Sequence, residues 1–469
     1  MRISKLFPIK SLLFLITMAF ALYACFLCSD YQGYPSGYEK LILLPLSFFI
    51  AVGLSFLSLF RGKKLNDNIP GLSLILLAFI RNVVTPIAMV KDSFQSSLGI
   101  ANATSANISI WLVSYETIVI FLFFYIVEIF KFKQKGIKLP NGKANLRAYR
   151  RITVCMVAIA ILSLLLVPSL RNSFYSVFTS GFASGIQLNL DYRESAFTRA
   201  LATGGDMAIS SIRYILPCAF FYKLALRGQK ASSLLISCLL VLAQSFFMTD
   251  SNAYILMIMI SQLLFIMKLY PKYRKTIIIA LIAMVILFAA VFYFYRFALD
   301  HYSRSISLWL QSYLPGIANT AGIMNVSPPH NPFQLFIDFW IAVPFKAFIG
   351  LSYNGLSTAQ LWREANAVPN QILSTVGQGY YYFGFALAPI LSCFLIQISR
   401  KCSKYISSMD NALLCSAYIY FMIYSVCTPF VYNFCIYMQA FLQRTIFIFI
   451  IAYFSPYLFS GLNYSIQGE

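Results

Sequence analysis

Residues 333–351 read FQLFIDFWIAVPFKAFIGL. The stretch is long and apolar enough to be taken for a membrane span. If it crosses a bilayer, every later segment changes sides. Its reading depends on what surrounds it.

The chain has 469 residues, of which 59% are hydrophobic and 11% charged, with a mean hydropathy of +0.74. A soluble domain does not hide that much apolar surface, so the composition is that of a membrane protein. A spanning helix takes about 20 apolar residues. Twelve segments qualify, at 12–28, 41–60, 71–90, 110–130, 152–168, 207–226, 233–249, 253–269, 276–295, 377–398, 410–428 and 434–454. Their unbroken apolar runs lack the alternation of a membrane barrel, so the spanning form is helical. The expected fold is all-α, a polytopic bundle of about twelve transmembrane helices. The first segment follows Arg2, Lys5 and Lys10 and ends in LYAC at Cys25. With eleven more spans behind it, a retained first helix is expected rather than a cleaved signal. Cys25 and Cys28 form a CxxC with no second pair beside it, so the ten cysteines read as buried thiols and no metal site is expected.

The formal charge of +21 concentrates in the short connections at 2–10, 61–64, 131–151, 223–230, 268–275 and 400–404, which hold 24 of the 36 basic residues. The positive-inside rule assigns all of these to the cytoplasm, with both termini inside. Topology thus accounts for the basic run at 131–151, and no nucleic-acid partner is expected. The same map resolves 333–351. Both 268–275 and 400–404 are inside, and helices 276–295 and 377–398 supply one exit and one return. The chain between them crosses an even number of times. Asp338, Pro344 and Lys346 oppose burial in hydrocarbon. Residues 333–351 are therefore expected to form a helix lying on, or dipping into, the outer membrane face. The chain divides into an N-terminal bundle, 1–295, with an outer excursion at 169–206; a large outer loop, 296–376; and C-terminal helices, 377–469. Excursions of this length on a compact bundle are usually functional.

Arginine and lysine are not distributed alike. Within the cytoplasmic connections lysine outnumbers arginine 16 to 8, and elsewhere arginine outnumbers lysine 9 to 3. The guanidinium fork matches phosphate and carboxylate oxygens, so the inversion suggests an anionic ligand on the outer side. Arg296 and Arg304 stand two helical turns apart in FYRFALDHYSRS and face one direction if the helix continues. Arg193 and Arg199 form a second pair in DYRESAFTR. Arg81 in IRNVVTP and Arg213 in SSIRYILP lie within apolar segments, where a charge costs at least a few kcal/mol and more often faces a polar cavity than lipid. Arg363 in LWREANAVPN completes the diphosphate-binding candidates. Each of these arginines could instead snorkel or pair with a local acid, as Arg193–Glu194, Arg363–Glu364 and Asp300–Arg304 would, and Arg171 and Arg444 are left to that role. For proton transfer the sequence offers His301, His330, Glu194 and Glu364, with His330 and Glu364 as the catalytic candidates. It holds no DxD-type metal cluster, no glycine-rich phosphate loop and no G-x-S-x-G.

The segment VPNQILSTVGQGYYYFGFALAPI carries Pro369, Asn370, Leu373, Gly377, Gly379 and Gly384. With many helices and a large outer loop in the second half, it resembles the bacterial O-antigen polymerases of the Wzy type. The resemblance covers the whole chain as architecture and this stretch as sequence, with Asn370, Gly377 and Gly384 as the re-entrant motif. It implies a C-type glycosyltransferase fold in the bacterial inner membrane, working on the periplasmic side. The donor would be a growing glycan on undecaprenyl diphosphate and the acceptor a lipid-linked repeat unit. Transfer would proceed with inversion and without a metal or other cofactor, and a chain-length regulator would be a partner. Related ligases often have His where this chain has Pro369, so the base would move to His330 or Glu364, or be absent. A flippase of lipid-linked oligosaccharide is the rival. Such transporters commonly show two related halves, and this chain is lopsided.

Overall fold

The computed structural model describes residues 7–59, 69–94, 102–129, 146–168, 196–228, 230–246, 252–292, 294, 305–344, 355–367, 371–407, 409 and 411–454. No strand occurs among them. In chain order the first helices are α1 (Phe7–Asp30), α2 (Leu43–Leu59), α3 (Ile69–Phe79), a π-turn (Ile80–Val84), α4 (Thr85–Lys91), α5 (Ala103–Ile129) and α6 (Leu146–Leu166). They are followed by α7 (Ala196–Leu226), α8 (Ala231–Phe246), α9 (Asn252–Leu269) and α10 (Arg274–Phe292). Short helices α11 (Ile306–Tyr313), α12 (Ile317–Ala321), α13 (Gln334–Ala342) and α14 (Thr358–Asn366) build the excursion. The chain ends with α15 (Thr375–Leu387), α16 (Ile390–Ser407), α17 (Ala412–Val431), α18 (Phe434–Ala440), a second π-turn (Phe441–Thr445) and α19 (Ile446–Phe454).

Each of the twelve apolar segments falls mainly on helix among the described residues. Among the described residues, six helical stretches are long and apolar enough to cross a membrane, or seven if one bent pair counts as a single span. Phe14–Asp30, Leu43–Gly53, Val154–Leu166, Ala231–Ser245 and Ala253–Leu269 are shorter apolar helices. Large apolar side chains cover the outside of the bundle: Leu165 is 67% exposed, Ile279 68% and Ile286 63%. A surface of that kind requires an apolar surround. The axis of the bundle is α17, buried along most of its length and packed against α3, α7, α9, α16 and α19. Tyr424 and Tyr437 stack at 5.6 Å and Tyr420 stacks on Tyr424 at 6.0 Å, an offset geometry that aromatic rings favour.

Residues 333–344 do not span. Helix α13 has nine residues, a rise of about 13 Å against a hydrocarbon thickness of about 30 Å. It stops where Val343 turns extended ahead of Pro344. Its polar face, Gln334 and Asp338, is buried, while Phe333, Phe336 and Phe339 point outward. An apolar outer face over a polar inner one suits a helix lying at a membrane interface.

The segment 377–398 corrects a simple expectation. Instead of one straight return helix, the chain forms α15 and α16, bent by 106°. Gly384 adopts φ +74° and Pro389 has no N–H to continue the ladder. Gly379 packs so closely on the folded-back chain that a Cβ there would lie 2.0 Å from the Ala388 carbonyl oxygen.

Candidate functional site

The excursion is pinned to the bundle by a buried carboxylate. Asp338 on α13 is 2% exposed. It accepts hydrogen bonds from the Thr358 backbone N–H at 2.8 Å and hydroxyl at 2.6 Å, and from Gln378 Nε2 at 3.3 Å, Cys435 Sγ at 3.1 Å and the Tyr382 hydroxyl. The Gln378 Oε1 atom in turn accepts from the Phe434 N–H at 2.7 Å. One residue thus joins α13, α14, α15 and α18. All of these partners are neutral donors, which satisfy the carboxylate's oxygens where an unmatched charge would be costly. Asp338 entered the sequence reading as a sign against burial in hydrocarbon, and it is enclosed instead by protein, among polar donors. The signal was the pairing of Gln334 with Asp338 and of Gln378 with Tyr382, each four residues apart on one helical face.

Beneath this excursion lies an arginine–aspartate pair. Arg444 Nη2 is 3.7 Å from Asp206 Oδ2, with the side chains 23% and 33% exposed. Arg444 sits in the second π-turn and its guanidinium lies over the Tyr254 ring at 4.7 Å. Tyr420 donates to the Tyr254 hydroxyl at 3.3 Å. Gln443 Nε2 reaches the Ala342 carbonyl at 3.4 Å, tying the π-turn to the end of α13. A π-turn re-aims side chains by inserting a residue and is frequent at functional sites. Asp206 and Arg213 are seven residues apart on α7 and share its face. Both are half-buried, and Gln244 Nε2 donates to the Arg213 carbonyl at 2.6 Å. Arg444 was left to pairing with a local acid. Its acid comes instead from a distant helix, and its mid-helix position in FLQRTIFIFI carried the same signal as Arg81.

Arg81 occupies the first π-turn and is 2% exposed. Its Nη2 is 2.8 Å from Glu116 Oε2. The guanidinium also reaches the Asn82 and Thr117 side chains and the Pro429 carbonyl, and lies 4.6 Å from the Phe430 ring centroid. Ser392 donates to the other Glu116 oxygen. This arginine is engaged by the bundle itself, through a glutamate from a neighbouring helix.

The remaining candidates divide by position. His330 is exposed, has φ +60°, and places Nδ1 3.1 Å from the Tyr380 carbonyl on α15. Asn331 donates from its N–H to the Tyr381 carbonyl at 2.9 Å, so the His330 segment rests on the re-entrant motif. Glu364 is exposed on α14, and Arg363 beside it donates from Nε to its own helix at Ala359, 3.2 Å away. No ion pair joins Arg363 to Glu364 among the described contacts. Gly377 is buried, with its N–H on Ser374 Oγ at 3.1 Å, and a Cβ there would meet that oxygen at 2.9 Å. Arg199 lies on α7 near its start. Arg193, Arg296, Arg304 and Asn370 lie outside the described residues, as do His301, Glu194 and Arg171.

Two strands of chemistry are therefore on the molecule: a half-exposed cation set among apolar helices, and a polar hub holding the excursion above the bundle. No family model, curated protein or solved structure matches the chain.

Proposed function

We propose that the chain is a membrane glycosyltransferase that polymerises oligosaccharide repeat units carried on undecaprenyl diphosphate, on the periplasmic face of the bacterial inner membrane. In this proposal the bundle has twelve spans, with 375–407 as one broken span, a C-type glycosyltransferase architecture and both termini in the cytoplasm. The Arg444–Asp206 pair carries the reading. A guanidinium that is 23% exposed in the midst of apolar helices, 3.7 Å from Asp206 and over the Tyr254 ring, sets a fixed positive charge at the partly open end of that pair, where it suits an anionic leaving group. Arg213 on the same face of α7, and Arg193, Arg199, Arg296 and Arg304 in the excursions, would extend the cationic lining.

In the reaction the acceptor sugar hydroxyl attacks the anomeric carbon of the donor glycan. The bond from that carbon to the diphosphate oxygen breaks, and its electron pair leaves with the lipid diphosphate. Guanidinium groups fixed where this charge develops stabilise it without reorganising. His330 and Glu364 are the candidates to receive the hydroxyl proton. Partners are the lipid-linked donor and acceptor, the surrounding membrane lipid and a chain-length regulator.

A deletion strain tests this. A polymerase deletion leaves surface lipopolysaccharide with single repeat units, and the gene restores the ladder. If deletion stops delivery of even one unit, the chain is instead a flippase.

A further inference from the structure

A second feature lies away from these residues. Helices α2 and α5 start side by side, where Gly37 abuts Ala103 so tightly that a Cβ on Gly37 would come 2.2 Å from the Ala103 carbonyl oxygen. Running from that junction, they enclose a groove of about 240 Å³ lined by Leu43, Ile50, Trp111, Ser114, Tyr115 and Phe385, among others. Its floor against the broken helix is fixed. The Tyr115 hydroxyl donates to the Ala386 carbonyl at 3.0 Å, and the ring stacks on Phe385 at 5.6 Å.

Two polar groups mark the groove as more than an apolar seam. At its mouth the Lys40 ammonium stands over Trp111, 5.5 Å from the ring centroid. The neighbouring Glu39 carboxylate accepts from the Gly37 N–H at 3.1 and 2.9 Å. Backbone N–H groups, its own first and then that of Gly37, hold its carboxyl below the usual range. Deeper in the wall, Ser114 Oγ is buried and has no hydrogen-bond partner. Ser109 and Thr117 on the same helix donate to the carbonyls four residues back, the usual solution in an apolar setting. A buried hydroxyl left unmatched costs about 1–3 kcal/mol, so a ligand oxygen at Ser114 would remove a standing penalty.

We propose that this groove is a binding site for an anionic phospholipid, its phosphate at Lys40, its ester region near Ser114 and its hydrocarbon chain along Tyr115, Phe385 and Ile50. A lysine at a membrane surface favours anionic headgroups by about 1 kcal/mol, and the ring beside it belongs at that level. The site stands independently of the proposed glycosyl transfer.

Tryptophan quenching tests it on the full-length protein in detergent micelles. The Trp111 signal is the difference between the wild type and Trp111→Phe. Brominated phosphatidylglycerol is expected to quench that signal at a mole fraction about fivefold lower than brominated phosphatidylcholine. Lys40→Gln removes the preference, and Ser114→Leu, which fills the groove, removes saturable quenching while Lys40 remains. Equal curves for the two lipids overturn the proposal. So does an unchanged preference in Lys40→Gln, or wild-type quenching in Ser114→Leu. Unbrominated polyprenyl phosphate displacing the brominated lipid at lower mole fraction than phosphatidylglycerol overturns the assignment to phospholipid. Elution volume on gel filtration shows that each variant is folded.

Discussion

Arg81 Nη2 lies 2.8 Å from Glu116 Oε2, and both side chains are closed off inside the bundle. Removing one member of such a pair leaves a buried charge without a counterion, at a cost of about 3–5 kcal/mol. Arg81→Met and Glu116→Leu should each lower the thermal midpoint in detergent sharply. The double variant should recover most of the loss, because apolar side chains of similar volume replace the pair. A double variant as unstable as either single one would show that the two residues do not act on each other.

Arg444 and Asp206 predict the opposite pattern, since both are partly exposed. Arg444→Ala should leave stability within about 1 kcal/mol of wild type and abolish glycan polymerisation in a complemented deletion strain. Arg444→Lys should restore little, because an ammonium lacks the fork. Full rescue by lysine would argue that charge alone is needed there.

The hub at Asp338 predicts a change in thiol access. Cys435 donates to this carboxylate and accepts from Gln378 Nε2 at 2.8 Å. Asp338→Ala removes the shared acceptor from five donating side chains and one backbone N–H, each of which loses about 1–3 kcal/mol of compensation if nothing replaces it. Cys435 should then react with a maleimide at least several times faster than in the wild type, with Asp338→Asn intermediate. The same labelling rate in all three proteins would mean that the excursion is held by other contacts.

The broken helix gives a graded pair. Gly384→Ala puts a side chain at φ +74°, ψ −175°, a conformation almost confined to glycine, with open space around it, a cost of about 1–3 kcal/mol from the backbone alone. Gly379→Ala drives a methyl into the Ala388 carbonyl, which is main chain and cannot swing aside. The first variant should elute as a folded protein and the second should not. If Gly379→Ala is the milder of the two, α15 does not fold back on α16 in this way.

A smaller effect is expected at the start of α14. The Ser357 side chain and Gln360 form a reciprocal capping box, with Gln360 Oε1 accepting from the Ser357 N–H at 2.8 Å. Ser357→Ala should cost about 1 kcal/mol, seen as faster amide exchange confined to α14.

What the amino-acid order reveals depends on how local the cause is. Apolar runs mark the long helices of the bundle because helicity in an apolar surround needs only the chain's own backbone groups. The charge map kept 333–351 from being read as a span; the nine-residue α13 covers part of that stretch, and 345–351 lie outside the described residues. The bend in 375–407 was not foreseen. Gly379, Gly384 and Pro389 are visible in the sequence, but the approach of Gly379 to Ala388 exists only once the chain has turned. Arg81 stood out because a charge in an apolar run is expensive. Its partner Glu116 lies 35 positions away, inside another apolar run, and only packing selects it. The surroundings of Asp338 stayed hidden for a related reason. A lone acid reads as a surface residue unless its donors are known, and these come from Thr358, Gln378, Tyr382 and Cys435 on three other helices.

In the proposed topology α15 turns aside by 106°, so the burden of traversing the hydrocarbon at that place would fall on α16. Arg400, ten residues after Ile390, is anchored there, donating to the Phe124 carbonyl at 3.0 Å. Ten residues of helix rise about 15 Å, half the thickness of an ordinary hydrocarbon layer. Lipid beside this helix would have to thin toward it, at a fraction of a kcal/mol per Å of mismatch. Short-chain lipids should therefore gather along α16, and reconstitution into thick, long-chain bilayers should disfavour the protein.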